Sequence, residues 1–135
     1  MNAELPRRPW YLSRTLLWLL CIFAAFIVTH LPPPPKPAPM ILNDKLLHFI
    51  GFAALGLLTV WRLGENRHTI NPLRLVLYYL LLVTYGLFDE ATQELVGRTF
   101  EWGDWLADIL GAAFGMTIGI LCHRYTVRQT VPSGA

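Results

Sequence analysis

Four long apolar stretches, separated by shorter polar segments, make up most of this chain. They cover residues 15–31, 46–61, 75–88 and 105–122. A helix needs about 20 residues to cross a bilayer, and each stretch approaches that length once its flanking residues are counted. The polar stripes that a soluble helical bundle needs along each helix are almost missing. The pattern therefore predicts an all-α integral membrane bundle of four transmembrane helices, at about 10–31, 44–63, 72–93 and 104–123.

The composition agrees with this prediction. Hydrophobic residues make up 54% of the 135 residues and charged residues only 15%, whereas about a quarter of the residues in an ordinary soluble domain are charged. The length predicts one domain, 1–135. A net charge of +2, with no basic stripe of interleaved aromatic residues, argues against a nucleic-acid partner. Cys21 and Cys122 lie in different apolar stretches and match no zinc-binding spacing.

The distribution of basic residues predicts the orientation in the membrane. Eight of the 11 lysine and arginine residues fall in the N-terminal segment, the segment between the second and third helices, and the C-terminal segment. The positive-inside rule then places both termini in the cytoplasm. The proline-rich segment 32–39 becomes an outer loop, which we expect to be an extended spacer.

Two polar clusters lie at the outer ends of the predicted helices. Ionisable side chains are costly at the end of an apolar helix, and this cost usually marks a functional site. The clusters comprise Asp44, Lys45, His48, Asp89, Glu90, Gln93, Arg98, Asp104 and Asp108.

The residue types in these clusters indicate acid–base and ion-binding chemistry. We expect His48 to act as a general acid or base, tuned by Asp44 or Glu90. Glu90 and Asp108 are the other catalytic candidates, and Asp44, Gln93 and Asp104 belong to the binding set. Charged side chains of the clusters are also candidates for holding an ion: Lys45 and Arg98 a phosphate or carboxylate, and Asp89, Glu90 and Asp108 a divalent cation.

Structural interpretations of the same residues stay open at this stage. His48 could be a satisfied histidine on a capped helix. The third helix could end at Phe88, which would leave the acidic residues after it in solvent. Gly111, Gly115 and Gly119 share a face with Asp108, and their spacing allows a neighbouring helix to approach closely. That face could pack within the bundle, or it could form a contact in a homo-oligomer or a larger membrane complex.

The motifs together resemble the VanZ-like family of small bacterial membrane proteins. The matching elements are Asp44-Lys45-x-x-His48-Phe49, Asp89-Glu90-x-x-Gln93, Gly97-Arg98 and Asp104-x-x-x-Asp108 followed by the glycines. The chain departs from the family pattern at Val96, where proline is frequent, and at Asp108, where asparagine is frequent. The resemblance implies a multi-pass protein of the bacterial inner membrane, and the founding member is associated with teicoplanin resistance.

Three functions are compatible with the sequence. The first is an extracytoplasmic site that binds or modifies the headgroup of a membrane lipid or of an envelope precursor, which through the family resemblance would connect it with glycopeptide resistance. The second is a non-catalytic scaffold or accessory subunit of a membrane complex, in which the polar residues fix the helix register. The third is proton or ion movement, which ranks last because no charged residue lies in the cytoplasmic half of a helix except near its end.

Overall fold

The computed structural model describes residues 10–31, 44–64 and 69–130, with side chains from residue 14 to residue 129 within those ranges. Four α-helices, α1 (Trp10–Thr29), α2 (Asp44–Leu63), α3 (Pro72–Gln93) and α4 (Trp102–Thr130), make up most of it, with a short 3-10 helix (Glu94–Val96) after α3. The all-α prediction is confirmed for these ranges. The predicted proline-rich loop at 32–39 lies outside the described residues.

The ends of the helices follow local sequence signals. Asn71 caps α3, because its side chain accepts a hydrogen bond from the backbone N–H of Leu73, and Pro72 begins the helix. The bounds of α2 and α3 agree with the predicted ones. In contrast, α4 continues to Thr130, past the predicted end at 123. The apolar run stops near residue 123. However, glycine and proline, which would end a helix, are absent between that residue and Pro132, so the helix continues.

Helices α2 and α4 pack against each other so closely that their backbones touch. A methyl group added at Gly111 or Gly115 would overlap the carbonyl group of Phe49 or Ala53 on α2. From the other side, a methyl group at Gly56 would lie 2.5 Å from the carbonyl oxygen of Ala112. The predicted glycine face therefore packs against α2 within the chain.

The helices meet around a small apolar core. Its buried members come from all four helices: Trp18, Phe52, Leu55, Leu82 and Ala112. The Nε1 of Trp18 donates a hydrogen bond to the hydroxyl of Thr59, at 2.8 Å. This bond fixes the position of α1 on α2 below the polar end of the bundle.

Both ends of the described chain lie at the same end of the bundle. The guanidinium group of Arg14, near the start of α1, donates to the carbonyl oxygen of Trp61 near the end of α2, at 3.0 Å. The end of α2 also lies against α4, where a methyl group at Gly64 would contact the ring of His123. The end of α1, the start of α2, the end of α3 and the start of α4 therefore meet at the opposite end.

Large apolar side chains point outward along the whole bundle, among them Phe23, Leu57, Leu81 and Phe114. Three helical segments are long and apolar enough to cross a membrane: Asp44–Leu63, Pro72–Val96 and Trp102–Gln129. The apolar part of α1, Arg14–Thr29, is shorter than a typical span. The structure therefore supports three of the four predicted spans by length and composition, and the fourth is a shorter apolar helix.

Candidate functional site

All nine predicted site residues lie at the end of the bundle where α1 and α3 end and α2 and α4 begin. Hydrogen bonds and ion pairs link them into a single network, together with Thr29, His30, Thr92 and Glu101. Residues far apart in the chain meet here because the helices alternate in direction. We call this set the polar-end network.

His48 occupies the centre of the polar-end network, with 5% of its surface exposed. Its Nδ1 lies 2.9 Å from Oδ1 of Asp108, and its Nε2 lies 3.6 Å from Oε1 of Glu90. The first distance is a hydrogen bond and the second is an electrostatic contact beyond hydrogen-bonding range. The sequence predicted that Asp44 or Glu90 would tune the acid–base behaviour of His48. In the structure, His48 is hydrogen-bonded to Asp108 instead.

Asp108 is completely buried in the second turn of α4. Space for its carboxyl group comes from Gly86 on α3, where an added Cβ would lie 2.8 Å from Oδ2 of Asp108. Oδ2 has no hydrogen-bond partner among the described residues. A buried carboxyl oxygen without a donor is costly, so Asp108 is placed here at the expense of local stability.

The acidic residues at the end of α3 are buried. α3 continues through Gln93 instead of ending at Phe88, and Asp89, Glu90 and Gln93 are at most 2% exposed. Nε2 of Gln93 donates to Oδ2 of Asp89 at 3.1 Å and to Oε1 of Glu90 at 3.2 Å. The alternative in which α3 ends at Phe88 and leaves Asp89 and Glu90 in solvent is therefore wrong.

The remaining oxygens of these two acids also accept hydrogen bonds. The hydroxyl of Thr29 donates to Oδ1 of Asp89 at 2.9 Å, and the backbone N–H of Glu101 donates to Oε2 of Glu90 at 3.1 Å. Acidic groups at a helix C-terminus oppose the helix dipole. Here hydrogen-bond donors from α1, from α3 itself and from the residue before α4 offset that disadvantage.

The two basic residues of the network lie at its rim. Arg98 forms an ion pair with Asp44 and donates from Nη1 to the carbonyl oxygen of Thr29 at 3.1 Å. Nζ of Lys45 lies 2.7 Å from Oε2 of Glu101 and 3.0 Å from Oδ1 of Asp104. The Lys45 side chain is 46% exposed and the Arg98 side chain 21% exposed. Both are thus engaged with carboxylates while remaining partly accessible.

Sequence reasoning missed His30 as a member of this network. Its Nδ1 donates to the carbonyl oxygen of Phe26 at 2.8 Å and lies 3.7 Å from Oδ1 of Asp89, and its Nε2 lies 3.0 Å from the hydroxyl of Thr92. The signal in the sequence was the pair Thr29-His30 at the end of an apolar run. Thr29 and Glu101 were also missed, because their partners lie on other helices.

The structure groups a different set of metal-ligand side chains from the one that the sequence predicted. Asp44, His48 and Asp104 each offer a donor atom, and these three atoms lie within 4.8 Å of one another. Within the described residues, the predicted trio Asp89, Glu90 and Asp108 forms no such group. The start of α2 and the start of α4, instead of the end of α3, supply the candidate ligands.

Comparisons with known proteins connect this arrangement to a family. A family model described as VanZ/LLP1 matches residues 14–123, which include every residue of the polar-end network. The uncharacterized protein C11E3.10 of Schizosaccharomyces pombe is 31% identical over 108 residues. That match covers 78% of this chain and 65% of the yeast protein, which is less than two thirds of its length. No solved structure matches the chain.

Proposed function

We propose, for a chain that belongs to the VanZ/LLP1 family, that the polar-end network binds or modifies the headgroup of a membrane lipid or of a lipid-linked envelope precursor. The observation that carries the proposal is the setting of His48. This residue is 5% exposed, its Nδ1 is held by Asp108 and its Nε2 makes no hydrogen bond within the described residues. An imidazole fixed through one nitrogen can exchange a proton or bind a ligand through the other.

The rim of the network supports an anionic headgroup as the ligand. Arg98 and Lys45 are partly exposed, and both now pair with carboxylates. A phosphate group forms the same kind of charge-assisted hydrogen bonds as a carboxylate. An incoming headgroup phosphate would therefore replace Asp44 beside Arg98, or Glu101 beside Lys45, without leaving either cation unpaired.

The proposed location is the extracytoplasmic surface of a bacterial cytoplasmic membrane, with the chain crossing it four times. Outward-facing apolar side chains support insertion, and the excess of arginine at the opposite end of the bundle supports this orientation. The relative in a fission yeast means that similarity alone does not restrict the chain to bacteria. A reporter fused to the C-terminus, active only in the cytoplasm, tests the orientation.

A non-catalytic scaffold is the second candidate, and a different observation favours it. Gln93 donates to two acids at once, and the network joins residues from all four helices. A buried polar network with nearly every atom paired can fix helix register without any chemistry. Under this function, the network holds the bundle in the shape that a partner complex recognises.

His48→Gln separates the two candidates, because glutamine keeps hydrogen-bonding capacity and cannot act as an acid or base near neutral pH. The control is Trp18→Phe, which removes a buried hydrogen bond at a distance from the polar-end network. Both variants are compared with the unchanged chain by thermal unfolding in detergent. Lipids and lipid-linked precursors are then profiled by mass spectrometry in cells that express each form and in cells that lack the protein.

Headgroup chemistry predicts that His48→Gln abolishes the change in lipid profile, while Trp18→Phe retains it at an equal or lower unfolding temperature. The scaffold function predicts instead that the cellular effect of both variants follows their stability. A lipid profile that is identical with and without the unchanged protein contradicts headgroup chemistry outright.

A role in glycopeptide resistance is a narrower proposal, supported by the family alone. Its test is teicoplanin susceptibility of cells with the unchanged chain, with His48→Gln and without the protein. We expect only the unchanged chain to raise the inhibitory concentration. Equal susceptibility of all three would remove the resistance role and leave headgroup chemistry to be judged by the lipid profile.

A further inference from the structure

We propose that the polar end of the bundle binds a divalent metal ion through Asp44, His48 and Asp104. The three donor atoms lie within 4.8 Å of one another. Two of the ligands come from the first two turns of α2 and the third from the first turn of α4. The ion would join the two helices whose backbones already touch.

The orientation of His48 is the first independent support. Histidine ligands of metal ions nearly always donate their other ring N–H to a carboxylate or carbonyl group, which fixes the tautomer and directs the free nitrogen at the metal. Nδ1 of His48 lies 2.9 Å from Oδ1 of Asp108. The ligand nitrogen is then Nε2, which belongs to a residue only 5% exposed and makes no hydrogen bond within the described residues.

Both aspartates keep an oxygen for a ligand. Asp44 uses Oδ2 in its pair with Arg98, and Asp104 uses Oδ1 in its pair with Lys45. In the described part of the chain, hydrogen bonds reach neither Oδ1 of Asp44 nor Oδ2 of Asp104. By contrast, hydrogen-bond donors occupy both oxygens of Asp89 and both oxygens of Glu90.

The charge balance of this end also favours a cation. Among the described residues, the network contains two permanently charged cations, Arg98 and Lys45. It contains a larger number of carboxylates: Asp44, Asp89, Glu90, Glu101, Asp104 and Asp108. Several of these are buried, where an uncompensated negative charge is costly. A divalent ion would offset two of those charges.

The donor set indicates which ions fit. One imidazole nitrogen and two carboxylate oxygens suit metals that accept both ligand types, such as Zn²⁺ or Mn²⁺, better than Ca²⁺ or Mg²⁺, which take oxygen ligands. Three protein ligands leave coordination positions for water or for a substrate oxygen. The inference uses the same site as the proposed headgroup function, but its test measures metal binding and needs no substrate.

The experiment uses the full chain, purified in detergent and stripped with a chelator. Zn²⁺ alone and Mn²⁺ alone are titrated by calorimetry, and bound Mn²⁺ is followed by electron paramagnetic resonance. The variants are Asp104→Asn, Asp44→Asn and His48→Gln. The matched control is Glu94→Gln, which removes one carboxylate charge at the same end of the bundle from an exposed residue outside the polar-end network.

We expect one ion per chain, with at least about tenfold weaker binding in each ligand variant and unchanged affinity in the control. Asp108→Asn, a change next to the ligand His48, should also weaken binding about tenfold. If a variant of a buried residue does not fold, Asp44→Asn still tests the site, because the Asp44 side chain is 36% exposed.

Two results would overturn the proposal: no binding of either ion by the unchanged chain, or equal weakening in Glu94→Gln and Asp104→Asn. Metal binding that depends on Asp104, in a protein with no effect on lipids, would keep the metal site and reject the headgroup function. An effect on lipids that depends on His48, in a chain that binds neither ion, would keep the headgroup function and reject the metal site.

Discussion

His48 on α2 and Asp108 on α4 form a buried pair across the interface where the backbones of these two helices touch, with Nδ1 of the imidazole 2.9 Å from Oδ1 of the carboxyl group. They lie 60 positions apart in the chain. The glycines of α4 bring the two helices together, and Gly86 of α3 makes room for the carboxyl group. The central pair of the candidate site therefore depends on small residues that carry no chemistry of their own.

Substitutions at Asp108 should separate its shape from its charge. Asp108→Asn keeps an oxygen at the position that accepts the hydrogen bond from His48, so we expect an unfolding temperature close to that of the unchanged chain. Asp108→Leu leaves the buried imidazole N–H without an acceptor, and we expect a loss of about 1–3 kcal/mol in the free energy of unfolding. Thermal unfolding in detergent measures both. Equal destabilisation by the two variants would contradict a hydrogen-bonding role for this carboxyl oxygen.

The glycine contact between α2 and α4 can be tested with a single methyl group. Gly115→Ala places a methyl group on the carbonyl group of Ala53, so the helices must separate, and we expect a loss of about 1–3 kcal/mol. Gly51→Ala is the control: nothing lies within 4 Å of its added methyl group. Alanine is the better helix former by about 1 kcal/mol, so this variant should be neutral or more stable. Similar losses in both variants would show that the close contact does not stabilise the bundle.

Gln93 should not tolerate a negative charge. In Gln93→Glu, an acceptor replaces the amide that donates to Asp89 and Glu90, and three buried carboxylates then face one another. We expect an unfolding temperature at least several degrees lower than that of the unchanged chain. The substitution removes the hydrogen-bond donor of the Gln93 amide and adds a third negative charge next to Asp89 and Glu90. The control, Glu94→Gln, changes an exposed residue one position later. It should behave like the unchanged chain in the same assay.

The rim pair of Arg98 and Asp44 should contribute modestly, since 36% of the Asp44 side chain is exposed. A double-mutant cycle with Arg98→Ala and Asp44→Ala isolates the interaction, and we expect a coupling of about 0.5–1 kcal/mol. The coupling should fall as salt is raised from 0.05 to about 0.5 M, because salt screens exposed charges. A coupling that stays constant with salt would mean that the pair is shielded from solvent.

Sequence patterns came close to the helices because a helix is a local structure. The apolar runs, the Asn71-Pro72 start of α3 and the polar breaks gave bounds for α2 and α3 that the structure reproduces. The pattern missed the extension of α4, because hydrophobicity marks a membrane span and not the end of a helix. It also made Asp89 and Glu90 candidate cation ligands, because the sequence shows which residues carry carboxylate oxygens but not which hydrogen-bond donors will occupy them.

By itself, the sequence determined the all-α class, the nine polar residues at the helix ends and the family to which they belong. These depend on composition, on the 3.6-residue helical period and on order along the chain. Only the tertiary structure decided which side chains form hydrogen bonds with each other. The pairs are His48 with Asp108, Gln93 with both Asp89 and Glu90, and His30 with Thr92, which lies 62 positions away in the chain. The physical reason is that each of these contacts depends on how closely two helices approach and on their rotation. Glycines and core side chains from several helices set both quantities together.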